Sequence, residues 1–321
     1  MRFTLKETTS MSPFEMLHLA GVAEECGFDS FALNDGTFQM RDTRGVYPYG
    51  PNKQRNWDLE TPFFEPMTLL PALAMQTERI RFFTSVVKLP LHHPLILAKQ
   101  IATAAIMSND RLAIGVGASW APEEYEFCGV DWSKRGRIMT ESLEVLHLVL
   151  SGEMVEYHGE IFDFDPLLAR PAPRVPVRFL IGGHHEPSLR RAAQLADGWI
   201  AAGPPSMDDL RPIISRLREL CEEYERDWDT FEIHAYPGDV RNLDDFKRLA
   251  DIGVTDAATL PINTGTGEVV VDDPTRQRLA GARIDEAQDP DRPYSGVPSA
   301  AKTDAVHRFA DNIVSHFKHL N

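Results

Sequence analysis

The side chains able to do chemistry fall into a few short clusters. Histidine exchanges protons near neutral pH, and His92-His93 stands directly before Pro94. Either these rings serve a substrate, or His93 caps the helix that Pro94 opens. Glu123-Glu124 is a pair of carboxylates suited to acid–base work, although acids in a first helical turn also complement the helix dipole. Gly182-Gly183 precedes a helix. Glycine lets a backbone approach a phosphate closely and helix amino termini attract anions; a tight turn is the other reading. His184-His185-Glu186 has no third ligand at a suitable spacing, so no metal is expected. Arg190-Arg191 offers charge to a phosphate or to solvent, and Trp120 offers a pocket wall or core filling.

Positioning these groups takes a repeated strand and helix. Residues 79–87 are apolar and β-rich, 88–93 carry turn chemistry, Leu97, Ile101, Ala104 and Ser108 recur at helical spacing, and 112–117 form a second apolar run. That is a parallel strand–helix–strand unit, whose crossover is right-handed. It places 88–93 and 118–124 at one sheet edge, where parallel folds hold ligands. Strands are likewise expected at 2–6, 28–33, 177–182, 199–202, 231–236 and 256–261, with a hairpin at 155–165 and a closing helix at 303–317. Ser12-Pro13-Phe14-Glu15 reads as a capping box. Eight strands in such alternation predict a closed (β/α)8 TIM barrel, one domain over 1–321, with long insertions at 37–62 and 263–301. Both insertions follow strands, so both are expected as lids over the mouth.

Composition narrows the partners. A net charge of −15 argues against nucleic acid or an anionic membrane. Three scattered cysteines suggest neither disulfides nor zinc. With no signal peptide and no spanning apolar run, a soluble cytoplasmic protein is expected.

Four stretches carry a family. They are Ala23-Glu24-Glu25-Cys26-Gly27-Phe28-Asp29-Ser30 with Asp35; His93-Pro94, Ala98-Lys99-Gln100 and Arg111; Gly115-Val116-Gly117-Ala118-Ser119-Trp120 with Glu123-Glu124; and Gly182-Gly183, Arg190-Arg191-Ala192-Ala193 and Ala196-Asp197-Gly198-Trp199. In this order and spacing, the chain resembles the luciferase-like flavin and deazaflavin oxidoreductases over residues 2–203.

The resemblance implies a barrel that binds coenzyme F-420, a deazaflavin, or alternatively FMN. It implies a bulge at Thr84-Ser85-Val86 with a cis Ser85-Val86 bond behind the ring, and Asp35 near the polar part of the cofactor. Gly117, Ala118 and Trp120 would border the site, and Gly182, Gly183, His184 and Gly203 would cradle the phosphate. Two positions depart from relatives. Gly36 stands where some deazaflavin-dependent members have a histidine, and Trp120 stands where sugar-phosphate dehydrogenases have a glutamate. Both argue against a sugar phosphate and leave the acid or base to His93 first, or Glu124. The expected activity is hydride transfer between coenzyme F-420 and a small organic substrate. The alternatives are an FMN-dependent monooxygenase served by a separate flavin reductase, and a flavin-binding barrel without turnover. A homodimer is expected by the same resemblance.

Overall fold

Strand β1 (Arg2–Lys6) shows how the sequence sorts its two faces. Phe3 and Leu5 are buried outward, and the Phe3 ring meets Phe246, Phe309 and Phe317 edge-on at 5.7, 6.0 and 5.2 Å. Arg2 and Thr4 reach instead to Asp256 on the neighbouring strand, and Lys6 reaches Ser85. This period of two recurs around the sheet. The computed structural model describes residues 1–6, 11–50, 53, 55, 57, 59–260 and 300–318.

The parallel strands run β3 (Arg81–Thr84), β2 (Ser30–Leu33), β1, β11 (Asp256–Thr259), β10 (Glu232–Ala235), β9 (Gly198–Ile200), β8 (Arg178–Gly182) and β5 (Leu112–Gly117). Pairing of β3 with β5 closes the ring, giving the (β/α)8 barrel the sequence predicts. The third position departs from the expected unbroken run. Its strand stops at Thr84 and resumes as β4 (Val87–Lys88), which also pairs with β5. Between β5 and β8, β6 (Met154–His158) and β7 (Asp163–Leu168) form the expected hairpin outside the barrel.

Helices α1 (Pro13–Glu25), α2 (Pro66–Met75), α3 (Pro94–Met107), α4 (Pro122–Phe127), α5 (Arg135–Leu150), α6 (Glu186–Leu195), α7 (Met207–Glu223) and α8 (Leu243–Asp251) surround it. Ser12 caps α1 by accepting the Glu15 N–H at 3.1 Å, while the Glu15 carboxylate takes Lys302 Nζ at 2.7 Å from the closing helix Ala300–Phe309. Of the insertion expected at 263–301, residues 263–299 lie outside the described residues, and Ala300 begins that helix.

Several motif residues prove to be joints. Glu24 accepts the N–H groups of Glu78, Arg79 and Ile80, and Arg111 donates to Ala74 O, Thr77 O and Ile80 O, which together set where β3 begins. Asp29 accepts the Phe3 N–H, and Asp197 accepts the Phe179 N–H, each at 2.8 Å. Inside, Ala32, Phe83, Ala113, Leu180 and Ile200 form an apolar cluster with Val86 packed on it. Among the described residues, no helix is long and apolar enough to cross a membrane.

Candidate active site

The interruption between β3 and β4 builds the centre of the carboxyl-terminal face. Gly115 makes room for it: a Cβ there would lie 1.9 Å from Thr84 O. Thr84 Oγ1 donates to Gly115 O at 2.8 Å, and the Ser85 N–H donates to Leu33 O at 2.6 Å. The Ser85-Val86 peptide is cis, as the resemblance implies. Val86 then lies against Gly117 and Gly182, whose added Cβ atoms would come 2.8 and 3.4 Å from its methyl groups. Ser85 Oγ takes Lys6 Nζ at 3.0 Å on the interior side.

Asp35 borders this platform from β2. Its Oδ2 accepts the Lys88 N–H at 3.0 Å. Burial raises the Asp35 carboxyl, against the opposing pull of that hydrogen bond and of Lys88 and His92. Of the two adjacent histidines it is therefore His92 that stands within electrostatic reach of Asp35. His93, the residue favoured from sequence as acid or base, is exposed. Its Nδ1 accepts the Leu95 N–H at 3.3 Å as the cap of α3, and its ring meets Phe162 at 5.7 Å. A side chain engaged in capping on the outer rim is poorly placed for proton transfer at the mouth.

The carboxylate pair is divided between two joints. Glu124 forms a buried ion pair with Lys88, the two side chains being 3% and 14% exposed, and also accepts Ser119 Oγ. Glu123 accepts Thr43 Oγ1 at 2.9 Å, the Arg44 N–H at 2.5 Å and Arg44 Nε at 3.0 Å. Burial alone would raise Glu123, but these bonds outweigh it and hold the carboxyl down at about 2. Glu123 thus fastens the insertion after β2 to α4.

That insertion folds over the mouth as a chain of rings. Phe63 occupies the space beside Gly36, where a Cβ would lie 2.5 Å from the Phe63 ring. Trp57 meets Phe63 at 5.9 Å, Tyr47 meets Trp57 at 4.9 Å and Trp120 at 5.5 Å, and Tyr49 meets His184 at 5.1 Å. Gly45 allows the close approach to α4, since a Cβ there would lie 2.8 Å from Trp120 O. Burial pushes the Tyr47 hydroxyl up to about 12. Trp120 therefore belongs to the cover, and Ala118 O accepts the Tyr125 hydroxyl beneath it.

The glycine turn after β8 leads into α6, whose cap residue His185 supplies no side-chain hydrogen bond. The start of α7 is closed by a full capping box between Ser206 and Asp209, and the Met207 N–H is bound to Asp239. These two amino termini therefore differ: that of α7 is closed by side chains, whereas that of α6 has no side-chain cap. Gly183 (φ +113) and Gly203 (φ +68) adopt conformations that favour glycine, and Tyr49 lies on both. A Cβ on Gly203 would meet Tyr49 Cβ at 2.7 Å. His184 Nε2 accepts the Ala202 N–H at 3.1 Å, and burial, with His185 beside it, brings His184 down to about 4, so the ring is neutral. Arg190 is bound to Glu186 and Glu223, and Arg191 to Thr140 and Gly136 O. Neither arginine is available to a phosphate.

One buried polar cluster escaped the sequence reading. Glu232 and His234 on β10 and Asp256 on β11 fill the lower interior. The signal was present as Glu232-Ile233-His234, two ionisable residues two apart in a buried strand, which must share one face.

A family model described as luciferase-like monooxygenase matches residues 2–237. An uncharacterized protein of Mycobacterium bovis is 38% identical over 256 residues, spanning 80% of this chain and 88% of that one. Among solved structures, a coenzyme F-420-dependent tetrahydromethanopterin reductase from Methanopyrus kandleri superposes with a TM-score of 0.69 at 16% identity, over 98% of this chain and 99% of that one. A monooxygenase from Streptomyces bottropensis does so with a TM-score of 0.67 at 17% identity, over 99% and 100%. At such identities the superpositions show a shared fold.

Proposed function

Because the chain belongs to the luciferase-like monooxygenase family, we propose that it is an oxidoreductase that transfers a hydride between coenzyme F-420 and a small, neutral, largely apolar organic substrate. The observation that carries the cofactor site is the Val86 platform, cleared by Gly117 and Gly182, beside a helix α6 whose amino terminus is uncapped. A flat ring fits against the first and a phosphate against the second. The stretch Gly117-Ala118-Ser119-Trp120, which resembles the deazaflavin branch, supports coenzyme F-420 over FMN.

When bound, the cofactor supplies the two-electron chemistry. The chain supplies the rest. Val86 would back the ring, Asp35 and the Lys88 N–H would border its polar part, and Gly183 with the first turn of α6 would hold the phosphate. Tyr49 lies on Gly183 and Gly203, so a phosphate bound there would have to share that space with Tyr49. The aromatic cover excludes water from the front of the ring and supplies an apolar wall. Two of its cations are committed elsewhere, Arg44 to Glu123 and Glu126 and Arg55 to Met40 O, which leaves fewer for a phosphorylated substrate. With Phe63 filling the space at Gly36, no side chain at that position donates a proton.

Titration of the apo-protein with each cofactor, followed by fluorescence, tests this reading. Micromolar or tighter binding of coenzyme F-420, with weaker binding of FMN and turnover that consumes no dioxygen, is expected. Binding of FMN alone, with dioxygen uptake by the reduced form, overturns it in favour of an FMN-dependent monooxygenase. Binding of neither overturns both.

A further inference from the structure

The buried cluster inside the barrel is chemically unequal from bottom to top. Glu232 is bound by three guanidinium groups, from Arg2 at 3.0 Å, Arg81 at 3.3 Å and Arg178 at 3.2 Å. Against the cost of burial, the His234 hydrogen bond, followed by Arg81 and Arg2, holds the carboxyl far below its usual range, so Glu232 is an anion that accepts only. His234 Nε2 lies 2.7 Å from it and must therefore carry the hydrogen. That assignment leaves Nδ1 as the ring atom free to gain or lose a proton. His234 is 2% exposed, and its Nδ1 makes no hydrogen bond. Asp256 Oδ1 lies 3.9 Å from Nδ1, beyond hydrogen-bond distance.

His234 lines a narrow cavity on the barrel axis whose other polar walls include Lys6, Ser85, Tyr236 and Asp256. Lys6 is bound to Ser85, and Ser85 opens the cis bond that carries Val86 to the mouth. The cavity thus joins the buried histidine to the underside of the platform. A buried nitrogen with no protein partner is costly unless it finds a hydrogen bond within the cavity that it lines.

We propose that His234, oriented by Glu232, is a proton reservoir that serves the cofactor site from inside the barrel, through Lys6 and Ser85. This rests on the cofactor reading given above. Uptake of a hydride would add negative charge to a bound ring, and a proton would offset it. His234 gives the proton from Nδ1 across the cavity and becomes neutral, keeping the Nε2 hydrogen on Glu232. On reoxidation the proton returns to Nδ1. No electrons pass through the residue. The arrangement supplies, from behind, the proton that Gly36 cannot supply from in front.

The test follows His234 itself by NMR of protein labelled with nitrogen-15 histidine, with the resonance assigned through ring–backbone correlations. Its titration is measured in the apo-protein and with oxidised and reduced coenzyme F-420, or FMN if that is what binds. Reduction is expected to lower the fraction of His234 that carries the Nδ1 proton at least tenfold at a given pH, and Lys6→Met is expected to diminish that change while leaving the apo titration in place. His234→Gln is expected to retain cofactor affinity within about threefold but to lose one inflection from the pH profile of kcat. An unchanged His234 titration on reduction, with the cofactor bound, overturns the proposal alone. Failure of both cofactors to bind overturns the functional reading and the reservoir with it.

Discussion

At the amino-terminal end of the barrel the interior is filled by charge: three guanidinium groups close on Glu232, with His234, Asp256 and Thr4 stacked beside it. At the carboxyl-terminal end Gly115 and Gly117 of β5 and Gly182 of β8 face Thr84 and Val86, and aromatic rings from the insertion stand beside Trp120 and His184. The two ends obey different physics. Buried charges tolerate the loss of no partner, since each one removed strands the others in a poor dielectric. A surface of glycine backbone tolerates no addition, because the space that clears the platform is the space a side chain would fill. The lower end therefore serves rigidity, and the upper end serves access.

The sharpest way to break this contrast is at the floor. Glu232→Ala leaves three part-exposed guanidinium groups and the buried His234 without their anion and should cost about 1–3 kcal/mol of stability, measured by urea unfolding. A loss under about 1 kcal/mol would place the cluster in contact with solvent instead.

At the mouth, Gly117→Val should push Val86 off its seat and lower cofactor affinity about a hundredfold, or about 2.7 kcal/mol, while far-UV circular dichroism stays unchanged. Retained affinity would remove Val86 from the site.

Acid should release the cover before the barrel. Glu123 has its carboxyl lowered from an ordinary 4.5 to about 2, so its bonds to Thr43 and Arg44 stabilise the closed insertion fully above pH 4.5 and are lost as pH falls toward 2. Fluorescence of Trp57 and Trp120 should report the opening, and Glu123→Gln should open the cover already at neutral pH.

The smallest expected effect separates the two helix termini. Ser206→Ala removes the cap of α7 and should cost about 1 kcal/mol without changing cofactor affinity. Weakened binding would instead place the phosphate at α7.

The barrel itself was legible in the residues because each strand needs only its own alternation and each helix its own spacing, and both are local properties. The bulge was legible as a resemblance at Thr84-Ser85-Val86, and Gly115, Gly117 and Gly182 are the residues that allow it. What each polar side chain is bound to was decided by the tertiary structure. Glu123 and Glu124 are adjacent in the chain, yet one holds the insertion through Thr43 and Arg44 and the other pairs with Lys88. Arg190 and Arg191 likewise point to separate helices. His93 caps a helix while its neighbour lies near Asp35. Glu232 and His234 acquire meaning only when Arg2, Arg81 and Arg178 arrive from three other strands. Backbone form depends on residues near in sequence, whereas the charge state of a buried group depends on whatever closure of the barrel brings within a few ångströms of it.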